Sequence, residues 1–148
     1  MDILLGLEDS RFAPNSPITR AEFAASCARF DQREISGTVN FTDIAGHWAE
    51  DEITAAALRG WVLGDDTGAF WPNATINRSE IMAIVNRVLH RLPETEEDLL
   101  DGMTKWSDNQ PGTWYYLTVQ ETTNSHDYGR KANGYEQWTA LLPNLTWE

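Results

Sequence analysis

Residues 3–30 and 61–88 are one segment written twice. Laid over each other at a constant offset of 58 residues, they share ten identities in 28 positions without a gap: Leu5/Leu63, Gly6/Gly64, Phe12/Phe70, Pro14/Pro72, Asn15/Asn73, Ile18/Ile76, Arg20/Arg78, Glu22/Glu80, Ala25/Ala83 and Arg29/Arg87. A chain built from a repeated unit is restricted to folds in which one unit buries its apolar face against the next. Each copy passes from a glycine-ended stretch through a Phe-x-Pro-Asn loop into a helix. Thr19 with Glu22, and Asn77 with Glu80, set a capping side chain three places ahead of a glutamate, so that each satisfies a free amide of the other. Ile81, Ile84, Val85 and Val88 recur at helical spacing and predict an amphipathic helix of about three turns. Phe23, Cys27 and Phe30 hold the matching places in the first copy.

Between the copies runs FTDIAGHWAEDEITAAALRGWVLG, residues 41–64. Ala49, Ile53, Ala56 and Ala57 form a stripe of small residues suited to close helix packing, and Gly60 suits the position just past a helix end. A degraded relative stands at residues 106–123: Trp106 falls on Phe41 and Asp108 on Asp43, then, after one inserted residue, Trp114 falls on Trp48 and Val119 on Ile53. The order is therefore back half (3–30), complete repeat (41–92), and degenerate repeat with a divergent end (106–148), with the acidic stretch 93–102 reading as a short helix or linker. Two front halves and two back halves balance within one permuted domain of residues 1–148; the other solution is self-association through the incomplete repeats, or pairing with residues outside this sequence.

Charge narrows the partners. The net charge of −12 is spread evenly, 13 acids against 7 bases in residues 1–90 and 10 against 4 in residues 91–148. With no basic patch to neutralise phosphates, nucleic acid and anionic lipid surfaces are poor partners. No apolar run reaches the roughly 18 residues a membrane span needs, so no membrane insertion is expected. The opening MDILLGLEDS has no charged leader region, which leaves any secretion signal outside this chain. Cys27 stands alone and on the apolar side of its helix, where it serves as a small buried hydrophobe. His47, His90 and His126 lack ligand spacing, GDDTGAF lacks the pattern of a calcium loop, and no phosphate-cradling loop or nucleophile elbow is present. No metal and no cofactor are expected.

The ordered string Phe-x-Asp, His-Trp-Ala, Ile, Ala, Gly, Gly, Phe-x-Pro and Ile-Thr-Arg-Ala-Glu resembles the S-layer homology domain. The resemblance implies an all-α fold, a short-helix bundle of such repeats about a pseudo-threefold axis. The C-terminal segment is less regular, and YGRKANGYEQW reads as a small hairpin around a KANG turn. The resemblance also implies a non-catalytic module at the cell surface, outside the cell, binding secondary cell-wall polysaccharide that often bears a pyruvate ketal. Its groove residues carry over to Arg20, Arg78, Glu22, Glu80, Asp43, Trp48, Gly6, Gly64, Asp108 and Trp114. Three features depart from the pattern: the second arginine motif is Ile-Asn-Arg-Ser-Glu, the last repeat has no arginine motif, and the first unit lacks its front half, so at most two grooves are expected.

The residue chemistry suits that role without requiring it. An arginine at a helix N-terminus lays its stem along the core edge and presents a planar fork to a carboxylate. Equally, Arg20 and Arg78 can form structural ion pairs with Glu22, Glu80 or Asp43. Trp48 and Trp114 can stack on a sugar or pack on a neighbouring unit; Asp43 and Asp108 can accept from hydroxyls or cap the following helix; Gly6 and Gly64 supply a positive φ or a close backbone approach. Two other functions are open: a scaffold that keeps the fold for protein interaction, and a carbohydrate-active enzyme, which needs a carboxylate pair across a cleft. The expectation is a binding module and no enzyme.

Overall fold

A computed structural model describes residues 13–31 and 34–144; Gly6 and Phe12 lie outside them. The chain divides into two compact units, residues 1–77 and 78–148.

In the first unit, helix α1 (Arg20–Phe30) packs on helix α2 (Glu50–Leu58). The capping box closes the start of α1: Glu22 N–H donates to Thr19 Oγ1 at 3.2 Å, and Thr19 N–H donates to Glu22 Oε2 at 2.7 Å. α1 faces its partner with Ala21, Ala24, Ala25 and Cys27, while Phe23 is only half-buried and Phe30 is exposed. The expected Phe–Cys–Phe stripe is therefore an alanine stripe, because α2 answers with Ala49, Ile53 and Ala56, all fully buried, and small side chains on both sides let the helices approach closely. Burial pushes the Cys27 thiol up to about 11, which makes it inert as a nucleophile. α2 ends in a Schellman turn, with Gly60 at φ 72° donating to Ala57 O and Trp61 N–H donating to Ala56 O.

The loop that follows α2 folds back over the N-terminal end of α1. Backbone bonds run from Arg20 N–H to Ala74 O (2.9 Å), Ala21 N–H to Pro72 O (3.0 Å) and Ile76 N–H to Ile18 O (3.2 Å). Phe70 is buried beneath it, its ring centroid 5.4 Å from that of Phe41.

In the second unit, helix α3 (Arg78–Val88) packs on helix α4 (Tyr116–Thr123), and strands β1 (His126–Arg130) and β2 (Glu136–Leu141) pair antiparallel. The helix pair repeats the register of the first. Arg29 meets Glu52 at 3.0 Å across α1 and α2; one position earlier on α3, Asn86 Nδ2 donates to the carbonyl of Thr118, the equivalent of Glu52, at 3.1 Å. The turn before α4 also copies the turn before α2. Thr113 N–H→Gln110 O, Tyr116 N–H→Thr113 O and Val119 N–H→Tyr115 O reproduce His47 N–H→Ile44 O, Glu50 N–H→His47 O and Ile53 N–H→Ala49 O, with Gly112 and Gly46 both at positive φ.

The hairpin overturns the all-α expectation, and the bundle about a pseudo-threefold axis goes with it: the chain is mixed α and β. Glu136 and Trp138 point inward while Gln137 and Thr139 point out, a period of two that no helix can satisfy. Lys131 N–H→Tyr135 O and Gly134 N–H→Lys131 O close the turn, Gly134 taking φ 88°. Trp138 closes a small core with Leu99 and Tyr116. The acidic stretch contributes to this unit: a short 3-10 turn (Glu96–Asp98) buries Asp98 against Lys131 Nζ at 2.9 Å. Burial alone would raise that carboxyl, but the bonds from Lys131 and from the Thr95 and Glu94 amides hold it below its ordinary value.

Gly64 tests the loop docking. A Cβ there would lie 2.8 Å from Phe41 Cε1 and 3.1 Å from Ala69 O. Gly64→Ala is expected to cost about 1–3 kcal/mol in urea unfolding by forcing the loop off Phe41; an unchanged midpoint would show the approach to be slack.

Candidate functional site

The expected site residues of the first unit converge on residues 63–73. Arg20 Nε donates to Phe70 O at 2.8 Å and Nη2 to Leu63 O at 3.3 Å, while the guanidinium lies 4.9 Å from the Phe70 ring centroid. Asp43 caps no helix. Its Oδ1 accepts from Phe70 N–H at 2.8 Å and its Oδ2 from Trp71 N–H at 2.7 Å. Arg20 and Asp43 thus hold the carbonyl and the amide of one residue, Phe70, from opposite sides. Glu22 closes the capping box, and Gly64 makes room for Phe41.

Trp48, 59% exposed, follows His47, whose ring reaches the same loop. The neighbouring His47 accepts at Nδ1 from Ala49 N–H (3.2 Å), which leaves the ring proton on Nε2 facing Asn73 Oδ1 at 3.1 Å. His47 thereby ties the turn that carries Trp48 to the loop after Trp71. Trp71 is itself 58% exposed, with its indole Nε1–H donating to Asp65 Oδ2 at 2.6 Å. Hydrogen bonds from the Thr67 hydroxyl, Trp71 and the Ala69 amide hold the Asp65 carboxyl far below the ordinary range.

Neither Trp71 nor Asp65 is visible in the repeat, because the first copy has Ala13 and Leu7 in their places. His47 and Asn73 do lie in the repeated string, but nothing in the spacing says that they touch.

In the second unit, Arg78, Asp108 and Trp114 are exposed and Glu80 is half-buried. Trp114, 63% exposed, lies edge-to-face with Tyr115, with centroids 5.4 Å apart. Trp106, the counterpart of Phe41, is also exposed and borders a hollow of about 440 Å³ lined by Asn109 and Tyr116. In the first unit the loop of residues 63–72 fills the corresponding place, with Phe70 against Phe41.

The second unit instead builds a charged cluster that histidine spacing does not reveal. Glu121, His126 and Glu136 bring metal-ligating atoms within 4.8 Å of one another. Arg91 stands among them, Nη2 at 2.8 Å from Glu121 Oε1 and 2.7 Å from His126 Nε2, and Nε at 2.9 Å from Glu136 Oε2. His126 Nδ1 lies 2.7 Å from Asn124 O, and its Nε2 lies 3.1 Å from Glu121 Oε1 as well as beside Arg91. The positive charge two buried carboxylates need is therefore a guanidinium of the chain itself. Burial would raise Glu121, but contacts with His126, with Trp138 Nε1 (2.8 Å) and with Arg91 hold it below its ordinary value. Glu136 is raised, chiefly by burial and further by the nearby Glu121 charge.

The repeat, its docked loop and its capped arginine helix have a match among known families. The model of the S-layer homology domain matches residues 1–24 and 40–82. The chain belongs to the S-layer homology family. Relatives extend the likeness beyond those residues. The cellulosome-anchoring protein of Acetivibrio thermocellus is 34% identical over 88% of this chain and 30% of its own length. Cell surface glycoprotein 1 of the same organism is 32% identical over 83% of this chain, and an amylopullulanase of Thermoanaerobacterium thermosulfurigenes is 34% identical over 73%. Each of these last two is covered over 6% of its length, so this S-layer homology chain corresponds to a small part of each.

Three variants test these supports. Arg20→Ala removes charge-assisted bonds to two carbonyls and is expected to cost about 1.5–3 kcal/mol in thermal or urea unfolding. Arg20→Lys, which keeps the charge and loses the fork, should recover only part of that stability. Arg91→Ala leaves buried Glu121 without its guanidinium and buried Glu136 with only the more exposed Arg130, 3.3 Å from its Oε1, and is expected to cost about 3 kcal/mol, the low end of the range because the Arg91 guanidinium is partly exposed. That loss should shrink at about pH 4, where protonation removes the need for a counter-ion; a loss that grows on acidification would contradict the ion-pair account.

Proposed function

We propose that this S-layer homology chain is a non-catalytic module that attaches a larger protein to the cell surface by holding secondary cell-wall polysaccharide non-covalently. The observation that carries the reading is family membership, together with relatives whose names are those of a cellulosome-anchoring protein and a cell surface glycoprotein. The arrangement of the chain agrees with it. Exposed Trp48 and Trp114 stand two residues before the first residues of α2 and α4, where rings open to solvent can meet a sugar face. A chain of net charge −12 repels an acidic polymer at long range, so capture rests on local cations acting within a Debye length of about 8 Å.

Arg78 is the cation best disposed for a ligand carboxylate such as a ketal pyruvate, since it is exposed at the first residue of α3. Arg20 is committed at Nε and Nη2 to the loop carbonyls, so its first role is to shape the surface. The engagement of Arg20, Glu22, Asp43 and Gly64 in holding the repeat together also favours a second reading, a scaffold that keeps the fold for protein interaction.

Sedimentation of the chain with purified wall sacculi, before and after mild acid removal of ketal pyruvate, distinguishes the two. Polysaccharide anchoring predicts co-sedimentation that is lost on removal, and Arg78→Ala should weaken it by at least about tenfold without lowering the melting temperature. No binding to either preparation, with self-association of the chain, would establish the scaffold reading.

A further inference from the structure

A single exposed tryptophan needs no explanation, since apolar side chains scattered over a surface are ordinary. Trp71 differs in three respects. Its backbone sits at φ 61°, a left-handed conformation that bulky residues rarely adopt. The residue is 58% exposed, yet the side chain's one polar atom is already bonded to Asp65 at 2.6 Å, so the indole is held while much of it stays open to solvent. Its amide is pinned by Asp43 at 2.7 Å.

The repeat supplies an internal comparison. Ala13, at the same place in the first copy, also has a positive φ of 51°, so the backbone takes the left-handed conformation at this position whatever side chain it bears. That side chain is a methyl group in one copy and an indole in the other. Asp65 changes with it, for Leu7 stands at its place in the first copy and cannot anchor a ring. Ring and anchor occur together in the second copy and are both missing from the first.

We infer that Trp71, oriented by Asp65, is a carbohydrate-stacking residue, a platform for the apolar face of a pyranose unit in the polymer that the chain holds. A rigid exposed ring loses little conformational freedom when a ligand settles on it, and the stacking face of a sugar is its C–H face, so this contact favours uncharged residues of the chain over its acidic ones. The carboxylate at the indole N–H adds electron density to the ring and strengthens that contact. His47 and Asn73 tie the turn bearing Trp48 to the same loop, which suits a polymer longer than one sugar. The inference rests on the polysaccharide reading above and adds to it a residue and a class of ligand unit.

Isothermal titration of the whole chain with purified wall polysaccharide tests it. Trp71→Ala should weaken binding about fivefold, within the range for an aromatic stack. Trp71→Phe should keep most of the affinity; Trp71→Leu, apolar but without a ring, should lose as much as alanine. Asp65→Asn, which keeps an accepting oxygen at the indole N–H but removes the charge that enriches the ring, should fall between. Melting temperatures of the Trp71 variants should fall only slightly, since each loses one exposed hydrogen bond, that to Asp65. If Trp71→Ala or Trp71→Leu binds as well as the unaltered chain, the stacking role is overturned and the anchoring reading stands. If the unaltered chain binds no wall polysaccharide, both are overturned.

Discussion

The backbone of Phe70 is gripped from both sides, by Arg20 at its carbonyl and by Asp43 at its amide. An irregular loop has no ladder of its own, so its polar backbone groups must find partners elsewhere or be left in water. Here an arginine from the start of α1 and an aspartate from the turn before α2 provide those partners. Phe70 can then be buried on Phe41 without orphaned amides, and the next residue can be held at a positive φ. The arginine motif that repeats through the chain is thus, in its first copy, a support for a loop from the following copy. The surface that this support creates is where Trp48 and Trp71 emerge.

The second unit solves the same problem with different chemistry. Its helices keep the register and its turn keeps the hydrogen bonds, but the chain then leaves the repeat pattern and pairs as a hairpin. Glu121 and Glu136 are buried, which would be prohibitive for isolated charges. Arg91 between them, with Trp138 and His126 bonded to Glu121 or stacked on each other, makes the burial tolerable; the His126 and Trp138 rings lie 4.0 Å apart. The cluster ties the segment after α3, helix α4 and both strands to one another. Its opposite pKa directions follow from neighbours: Glu121 has several donors, whereas Glu136 is dominated by burial.

Much of this was readable in the residues. The repeat, the capping box at Thr19 and Glu22, the small-residue stripe of α2 and the helix end at Gly60 are local features, determined by spacing and by side chains that act on their own backbone. Family membership follows from the same ordered string. The turn at KANG was readable too, yet the extent of the hairpin was not, because the inward alternation of Glu136 and Trp138 is short and one of its two inward residues is charged.

What only the tertiary structure decided is where the long-range partners lie. No spacing shows that Asp43 meets amides 27 and 28 residues on, that Arg20 meets carbonyls 43 and 50 residues on, or that Arg91 stands between acids from a helix and a strand. Such contacts are made across space by groups whose sequence separation carries no period. The sequence therefore determined which segments repeat and how each begins and ends, since these depend on near neighbours. The packed chain decided which polar groups hold the loop and which rings remain on the surface, since these depend on what the fold brings together.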